Sequence, residues 1–499
     1  MRITLIAAAA LMLVLSFPRV SWTYLSPLAF IAIFWATHGL TVVRAGLAGY
    51  LCGIWVYGIG CFWLLDAIRV SQGRVLFDSL GPFLLSVLYH AAQFGLFTAT
   101  TAWVRGLGAR VPVVATASSW VLLEWLFPKF AHWSVGDVSI DWPLVPQIAD
   151  VGGVAGVAFL IVATSATLYN FATELFEVRA PSLRPLVALA LAYVVTATYG
   201  TARQRQFERP DPKDGLDVLI VQGALPVGDE DAIHSSAVSW RTYSNMTQAE
   251  DLAGVDIVFW PETTIRDYLR RGSEYALRLT SLAAKLGVNL VLGALDLPAS
   301  GEGEYSAAYL IEPDGGLHYA HKRHLVPFGE YVPLQESLGF LTTWRTTGSF
   351  VPGVHRPNLG PDGAQMATSI CIEATRPGFN HEQIRRGATM LANLSDDTWF
   401  EHSAVPYIHL QSTRWRALEA RRWLVRSSNS GVSAVIDPTG RVVARIPYGD
   451  AGTVRATIYQ ETEIAPFVRW GHWFIWLSAF LWLFSWCRTL ALVKRANHS

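Results

Sequence analysis

Residues 366–373 read MATSICIE, a run of apolar and small residues that is typical of a strand buried inside a sheet. Cys371 stands near the end of this run, and Glu373 follows it closely. Groups that follow a buried strand lie at the edge of a sheet, where loops carry binding and catalytic side chains. The stretch therefore predicts a sheet-containing domain and makes Cys371 a candidate nucleophile.

The chain contains 4 cysteines, and the other three, Cys52, Cys61 and Cys487, lie in apolar segments. A cysteine in such a segment is readily explained as a small hydrophobic residue. Cys371 is the only cysteine in the part of the chain that has the composition of a soluble domain. In an oxidising compartment a solitary thiol is either buried and inert or kept for its reactivity, and its position leaves both interpretations open.

The composition of the 499 residues favours a membrane protein. It is 52% hydrophobic and 16% charged, against about 25% charged in an ordinary globular protein. The mean hydropathy is positive. The 39 basic and 39 acidic residues cancel, so no overall field would attract nucleic acid. Intrinsic disorder and a disulfide-stapled secreted fold are excluded as well.

Apolar runs occupy both ends of the chain and flank a mixed central part. Two short runs, 3–17 and 24–37, predict a tight helical hairpin; a secretory signal is the competing interpretation of the first. Six further runs approach the roughly 20 residues needed to cross hydrocarbon. They are residues 45–65, 82–104, 111–127, 154–175, 186–199 and 473–493. The sequence thus predicts an α-helical membrane bundle of about eight transmembrane helices.

The expected division has three parts. Residues 1–202 form a membrane domain with transmembrane helices 1–7, residues 203–468 form a soluble domain, and residues 469–499 contain helix 8 and a tail. Basic residues in short loops favour a cytoplasmic location for both termini, because cytoplasmic loops carry the excess of Lys and Arg. That orientation places the soluble domain on the outer face of the membrane.

The central part has an α/β pattern. Strands are predicted at 216–222, 255–260, 288–292, 307–311, 366–372, 389–393 and 432–436. Helices are predicted at 275–286 and 413–424. The sequences PDGG at 313–316 and DPTG at 437–440 indicate tight turns and some antiparallel pairing. Alternating strands and helices predict a sheet covered by helices.

Two further polar residues follow predicted strands. Glu262 ends the WPE sequence at 260–262, and Lys322 precedes the sequence HLVPFGEYVP at 324–333. A cysteine nucleophile needs a base and a group that stabilises an oxyanion. A lone glutamate or lysine is usually a solvated surface residue, but the order Glu262, Lys322, Cys371, each after a strand, is much more specific.

This order resembles the nitrilase superfamily, whose αββα sandwich brings the three residues together. The HLVPFGEYVP sequence, VQG at 221–223, RALE at 416–419 and the apolar runs at both ends of the chain are similar to those of the apolipoprotein N-acyltransferase family. This resemblance extends over almost the whole chain. The resemblance implies eight transmembrane helices that carry a periplasmic nitrilase-like catalytic domain in the bacterial inner membrane. It also implies a phospholipid acyl donor and a diacylglyceryl apolipoprotein acceptor.

The resemblance assigns roles to individual residues. Cys371 would form a thioester with the acyl group, Glu262 would serve as general base, and Lys322 would stabilise the oxyanion. Glu330 and Glu373 match further acidic positions of the family's site and would support it, although loop salt bridges are the alternative. Apolar lids over the substrate pocket are expected from Trp344, Trp399, Phe400 and Tyr407, for which core packing is the alternative.

Several features limit these expectations. The sequence departs from the family pattern at Ile372, Asp396 and Glu401. A membrane-anchored amidase or hydrolase, and an inactive lipoprotein-binding paralogue, remain alternatives. His318, His321 and His324 could suggest zinc, but the proposed chemistry needs no metal or other cofactor.

Overall fold

The computed structural model describes residues 1–72, 76–106, 111–129, 134–177, 180–208, 215–225, 236–299, 301–333, 349–361, 363–400 and 403–496. The chain forms two compact units. One comprises Met1–Arg69, Arg74–Gln204 and His472–Ser499, and the other comprises Arg205–Gly471 together with Val70–Gly73.

The first unit is built from helices, and the second combines helices with strands. In chain order the α-helices are α1 (Arg2–Ser16), α2 (Leu25–Ala36), α3 (Val42–Gly60), α4 (Trp63–Gln72), α5 (Leu76–Gly106), α6 (Val113–Leu126), α7 (Ala149–Phe176), α8 (Arg184–Gln206), α9 (Ser236–Ala249), α10 (Glu274–Leu286), α11 (His381–Arg385), α12 (Val405–Ala420), α13 (Pro466–Trp470) and α14 (Trp473–Ala496). The first unit contains α1–α3, α5–α7 and α14, together with most of α4 and α8.

Four helical segments are long and apolar enough to cross a membrane: Val42–Gly60, Leu76–Gly106, Val145–Phe176 and Arg184–Gln206. They coincide with four of the predicted runs. The shorter helices α1, α2 and α6 are also apolar, and α1 packs against α2 as in the expected hairpin. The count of about eight transmembrane helices goes beyond these four and stays a prediction.

Small residues allow α3 and α5 to pack closely. A Cβ atom at Gly49 would lie 2.1 Å from Thr98 Oγ1, and one at Gly53 would lie 2.7 Å from the Cα atom of Ala91. The Thr98 hydroxyl donates a hydrogen bond to the Ala45 carbonyl at 2.8 Å. Close packing of this kind holds helices together in lipid, where a Leu side chain is no more apolar than its surroundings.

The second unit contains two sheets in its described residues. The strands are β1 (Gly215–Gln222), β2 (Ile257–Phe259), β3 (Ile265–Tyr268), β4 (Asn289–Asp296), β5 (Tyr305–Ile311), β6 (Leu317–His321), β7 (Met366–Ile370), β8 (Met390–Ser395), β9 (Leu424–Ser428), β10 (Ser433–Ile436), β11 (Val442–Ile446) and β12 (Gly452–Tyr459). The first sheet has the order β12-β1-β2-β4-β5-β6, with β3 beside β4, and the second has the order β11-β10-β9-β8-β7. The strands β1, β2 and β4 are parallel to one another, as are β7, β8 and β9.

The two sheets pack face to face between layers of helices. Their inner faces share a buried core that includes Phe259 and Val291 from the first sheet and Met390 and Val425 from the second. The outer face of the first sheet packs against α9 and α10, and that of the second against α11 and α12. This helix–sheet–sheet–helix order is the αββα sandwich that the resemblance implies.

Most predicted elements of the second unit are present. The seven predicted strands correspond to β1, β2, β4, β5, β7, β8 and β10, and both predicted turns join antiparallel strands. The predicted helix 413–424 is wrong at both ends, because α12 already begins at Val405. The helix α12 ends at Ala420 because Arg421 adopts the left-handed conformation, with φ 51°, and β9 begins at Leu424.

Candidate active site

Glu262 lies in a tight turn that follows β2. Thr263 in this turn has a positive φ of 49°. The turn packs on Gly293 of β4, where a Cβ atom would lie 2.3 Å from the Thr263 nitrogen and 2.6 Å from the Glu262 Cα atom. A glycine at position 293 is therefore needed for the turn to approach the strand. The Glu262 carboxylate is buried, with 8% of the residue exposed, and accepts a hydrogen bond from the Asp396 N–H at 3.1 Å.

Lys322 directly follows β6 and is only 1% exposed. Its Nζ atom lies 2.9 Å from Glu262 Oε1 and 2.6 Å from Glu330 Oε1. The second oxygen of Glu330 accepts a hydrogen bond from the Val326 N–H at 2.7 Å, which fixes this carboxylate in its own loop. An ammonium group has three N–H donors. The two carboxylates occupy two of them, and the third is suited to a developing oxyanion.

Cys371 directly follows β7 and begins a 3-10 turn that extends to Thr375. Its φ of 52° is uncommon for a residue with a side chain. The residue is buried, with 9% exposed. Strained backbone of this kind persists only where the surroundings hold it in place, and it often occurs at active sites.

Glu373 connects the turn at Cys371 to the loop that follows Lys322. One carboxylate oxygen accepts a hydrogen bond from the Ile370 N–H at 2.8 Å. The other accepts hydrogen bonds from the N–H groups of Arg323 and His324, at 2.7 Å and 2.9 Å. Glu373 thus holds the backbone on both sides of the site.

The electrostatics of the cluster follow from its burial. Burial raises the pKa of Glu262 to about 7, with Lys322 opposing the rise and Glu330 adding to it. Burial opposes the charge of Lys322, but the attraction of the two carboxylates outweighs it and holds the lysine pKa well above its usual range. Burial raises the pKa of the Cys371 thiol well above its usual range. The charge of Glu262 adds to this rise, and the charge of Lys322 opposes it. The raised pKa keeps the thiol protonated at neutral pH, so a nucleophilic role for Cys371 would require a base.

Known proteins match both units of the chain. The carbon-nitrogen hydrolase family model matches residues 220–465, and the model of the apolipoprotein N-acyltransferase N-terminal domain matches residues 9–167. The apolipoprotein N-acyltransferase of Pseudomonas syringae pv. tomato is 31% identical over 91% of this chain and 90% of its own. The chain belongs to the apolipoprotein N-acyltransferase family.

Further relatives bear the same name. The apolipoprotein N-acyltransferase of Azotobacter vinelandii is 30% identical over 94% of this chain and 91% of its own. That of Photobacterium profundum is 28% identical over 99% of this chain and 96% of its own. This member of the family is accordingly an acyltransferase, as the resemblance in the sequence predicts.

A second buried polar network, which no local sequence pattern indicates, contacts the backbone of Cys371. Arg426 in β9 donates a hydrogen bond to Asp397 Oδ2 at 2.6 Å, and His409 Nδ1 lies 2.8 Å from Asp397 Oδ1. Arg426 also donates to the Asn393 side-chain carbonyl. That contact orients the Asn393 amide so that its NH₂ group donates to the Cys371 carbonyl at 3.4 Å. The network therefore supports the backbone of Cys371, the candidate nucleophile.

Two sequence motifs of the family contribute to the framework of the site. In VQG, the Gln222 side chain accepts hydrogen bonds from the Ser433 N–H at 3.2 Å and from its hydroxyl at 2.5 Å, which links β1 in one sheet to β10 in the other. In RALE, Arg416 forms an ion pair with Glu419 at 2.9 Å. Arg416 also donates to the Thr375 carbonyl at 3.1 Å, at the end of the turn that begins at Cys371.

The predicted lid residues have different environments. Trp399 and Phe400 are half-buried on a 3-10 turn that follows β8, and the Phe400 ring lies 6.0 Å from the ring of His409. Tyr407 is half-buried on α12 and lies 6.2 Å from the ring of Tyr448. Trp344 lies outside the described residues. The lid function of these residues stays a prediction.

Two of the three histidines that could suggest zinc contact acidic side chains. His318 Nε2 lies 3.0 Å from Glu312, and His321 Nε2 lies 2.7 Å from Asp296. Among the residues that the structure describes, no group of three or more His, Cys, Asp or Glu side chains is placed to hold a metal ion.

Proposed function

We propose that this chain transfers a fatty acyl group from a membrane phospholipid to the N-terminal amine of a diacylglyceryl-cysteine lipoprotein, through a thioester on Cys371. The observation that carries the proposal is the buried cluster in which Lys322 Nζ contacts both Glu262 and Glu330, close enough to the buried Cys371 for their charges to act on its thiol. Membership of the apolipoprotein N-acyltransferase family supports the choice of donor and acceptor.

In the first half-reaction, Glu262 takes the thiol proton as Cys371 attacks the ester carbonyl of the phospholipid. A C–S bond forms, and Lys322 stabilises the oxyanion of the tetrahedral intermediate. The ester C–O bond then breaks, and Glu262 returns the proton to the departing lysophospholipid oxygen. Since the pKa of Glu262 is raised to about 7, it can both accept and donate a proton near neutral pH.

In the second half-reaction, the free amine of the lipoprotein attacks the thioester. Glu262 takes a proton from the amine as the C–N bond forms, and Lys322 again stabilises the oxyanion. The C–S bond breaks, and the proton passes from Glu262 to the sulfur. The products are an N-acylated lipoprotein and the free enzyme, so the reaction is ping-pong through an acyl-enzyme.

Two supporting roles are also proposed. Glu330 holds Lys322 in place, and Glu373 holds the loops that carry Lys322 and Cys371. Trp399, Phe400, Tyr407 and Trp344 would shield the thioester from water, which would otherwise hydrolyse it.

The proposed location is the bacterial inner membrane, with the catalytic domain at residues 203–468 facing the periplasm. Transmembrane helices 1–7 would lie within residues 1–202, helix 8 would lie within residues 469–499, and both termini would be cytoplasmic. Four helical segments of sufficient length and apolar character, together with the basic loops, support this arrangement. It suits the chemistry because acyl chains hold both substrates in the bilayer.

The test is to incubate the purified full-length protein with phospholipid and a synthetic diacylated lipopeptide. We expect N-acylated lipopeptide and lysophospholipid in equal amounts. A membrane-anchored amidase or hydrolase, which the carbon-nitrogen hydrolase match could also describe, would release free fatty acid and leave the lipopeptide unmodified. An inactive lipoprotein-binding paralogue would bind the lipopeptide and yield neither product. Either result would contradict the proposal.

A further inference from the structure

Three arginines lie close together beside the proposed active site. Arg323 directly follows Lys322, and Arg376 directly follows the turn Cys371–Thr375. The hydrogen bonds of Glu373 hold these two segments against each other. The third arginine, Arg356, lies in the segment 349–361.

The structure fixes Arg356 in position. Its guanidinium lies 3.8 Å from the centre of the Phe379 ring, and its Nη2 donates a hydrogen bond to Gln383 Oε1 at 2.6 Å. The His324 ring lies 5.4 Å from the same Phe379 ring. Burial and the positive charges of Arg376, Arg323 and Arg356 together lower the pKa of His324 to about 4, which agrees with three guanidiniums around this imidazole.

The positive charge of this group is only partly compensated. Arg323 and Arg376 are exposed, and their side chains form no hydrogen bond or ion pair within the described part of the chain. The negative charge of Glu373 acts on Arg356, and its carboxylate also accepts three backbone hydrogen bonds. A further nearby acid, Glu382, pairs with Arg386 at 2.5 Å.

An exposed apolar side chain lies beside these arginines. The backbone of residues 353–355 pairs with that of residues 321–322: the Gly353 N–H donates to the Lys322 carbonyl, and the His321 N–H donates to the His355 carbonyl, both at 2.8 Å. Val354 therefore lies next to the Lys322–Arg323 segment, and it is 90% exposed. Exposed apolar and basic groups side by side are typical of a surface that meets lipid and its phosphate groups.

We propose that Arg323, Arg356 and Arg376 bind the phosphodiester of the acyl donor, and that Val354 contacts the apolar part of the same lipid. This inference rests on the proposed function. Arginine is suited to the role because its planar fork binds phosphate oxygens in pairs. In a glycerophospholipid only the glycerol carbons separate the phosphate from the acyl esters, so a phosphate held beside the turn at Cys371 brings an ester carbonyl within reach of the thiol.

The test compares two donors that differ only in the headgroup. Full-length protein in detergent micelles is given either dioleoyl phosphatidylethanolamine or dioleoylglycerol, and the rate of thioester formation on Cys371 is followed by intact-protein mass spectrometry. The variant is Arg323→Gln with Arg376→Gln. The matched control is Arg386→Gln, which removes a nearby arginine that already has a partner.

We expect the ratio of the phospholipid rate to the diacylglycerol rate to fall about tenfold or more in the double variant, since each lost contact to a charged group weakens binding. The control should keep the wild-type ratio. The inference would be overturned if the ratio were unchanged in the double variant, including the case in which the rate of thioester formation falls equally with both donors. The proposed function would stay intact. A wild-type protein that forms a thioester with neither donor would overturn the proposed function as well.

A free anion is the other possible source of phosphate at these arginines. In that case the wild type would bind radiolabelled inorganic phosphate while the double variant would not, and both proteins would show the same ratio of phospholipid rate to diacylglycerol rate. That pair of results would assign the arginines to a free anion. That result would also overturn the lipid assignment.

Discussion

Replacing Glu330 by glutamine should lower the pH at which Cys371 becomes acylated. The substitution keeps the side-chain shape and removes one negative charge from the cluster around Lys322. Both carboxylates lie within 2.9 Å of Nζ, so the contacting oxygens of Glu262 and Glu330 are no more than about 5.5 Å apart. At an effective dielectric constant of ~20, unit charges at that separation repel by about 3 kcal/mol.

The sign of the change follows from the contacts. The charge of Glu330 raises the pKa of Glu262, and in the variant Lys322 has only one carboxylate to neutralise. Both effects favour the ionised form of Glu262. A repulsion of about 3 kcal/mol corresponds to about two pKa units, so a fall of about one unit or more below the wild-type value is expected after partial screening. The base must be ionised to accept the thiol proton. The rise of the acylation rate on the acid side of its pH profile (the acid limb) should therefore move to lower pH.

The assay measures single-turnover acylation of Cys371 between pH 5 and 9 with a fixed phospholipid concentration, for the wild type and for Glu330→Gln. The control is Glu274→Gln, an exposed acid on α10 that pairs with Arg278, for which no change of the profile is expected. An acid limb that stays in place or moves to higher pH in Glu330→Gln would refute the reasoning, as would an equal shift in the control.

Two further predictions concern the supporting structure. Arg426→Met removes the guanidinium that pairs with the buried Asp397 and leaves only His409 beside that carboxylate. The loss should destabilise the protein by about 3 kcal/mol, measured by thermal unfolding in detergent; an unchanged Tm would contradict the role of the ion pair. Gly293→Ala places a Cβ atom against the Thr263 backbone and should slow acylation by about a hundredfold, because it displaces the turn that carries the base. Its control is Gly452→Ala, where the nearest atom lies 3.8 Å away, and equal rates in both variants would show that the turn tolerates the change.

Much of the candidate site could be predicted because it depends on strand ends. Glu262 and Cys371 follow short apolar strands, whereas β6 before Lys322 contains two histidines and is not among the predicted strands. The αββα fold implied by the resemblance places the three strand ends together. The structure brings Glu262 and Lys322 into contact and places the buried thiol under the influence of both charges. The positions of Glu330 and Glu373 came from the family motifs, and their hydrogen bonds could be seen only in the fold.

The remainder depends on contacts between residues far apart in sequence. The strand β9 carries Arg426 in its centre, and a buried charge obscures the apolar pattern by which strands are recognised. Its partner Asp397 is 29 residues away in the sequence, so no local sequence pattern predicts the ion pair. The strands β11 and β12 escaped prediction for another reason, since both are partly exposed and carry polar residues. The end of α12 depends on the left-handed conformation of Arg421, which a non-glycine residue rarely adopts.

The central claim is that Cys371 carries the acyl group between donor and acceptor. The most direct measurement is mass spectrometry of the purified protein after incubation with phospholipid alone, followed by addition of the diacylated lipopeptide. The account predicts one acyl mass on the peptide that contains Cys371, absent in Cys371→Ser, which then appears on the lipopeptide amine as it leaves the enzyme. Formation of N-acylated lipopeptide by Cys371→Ser, or an acyl-enzyme that loses its acyl group only to water, would contradict it.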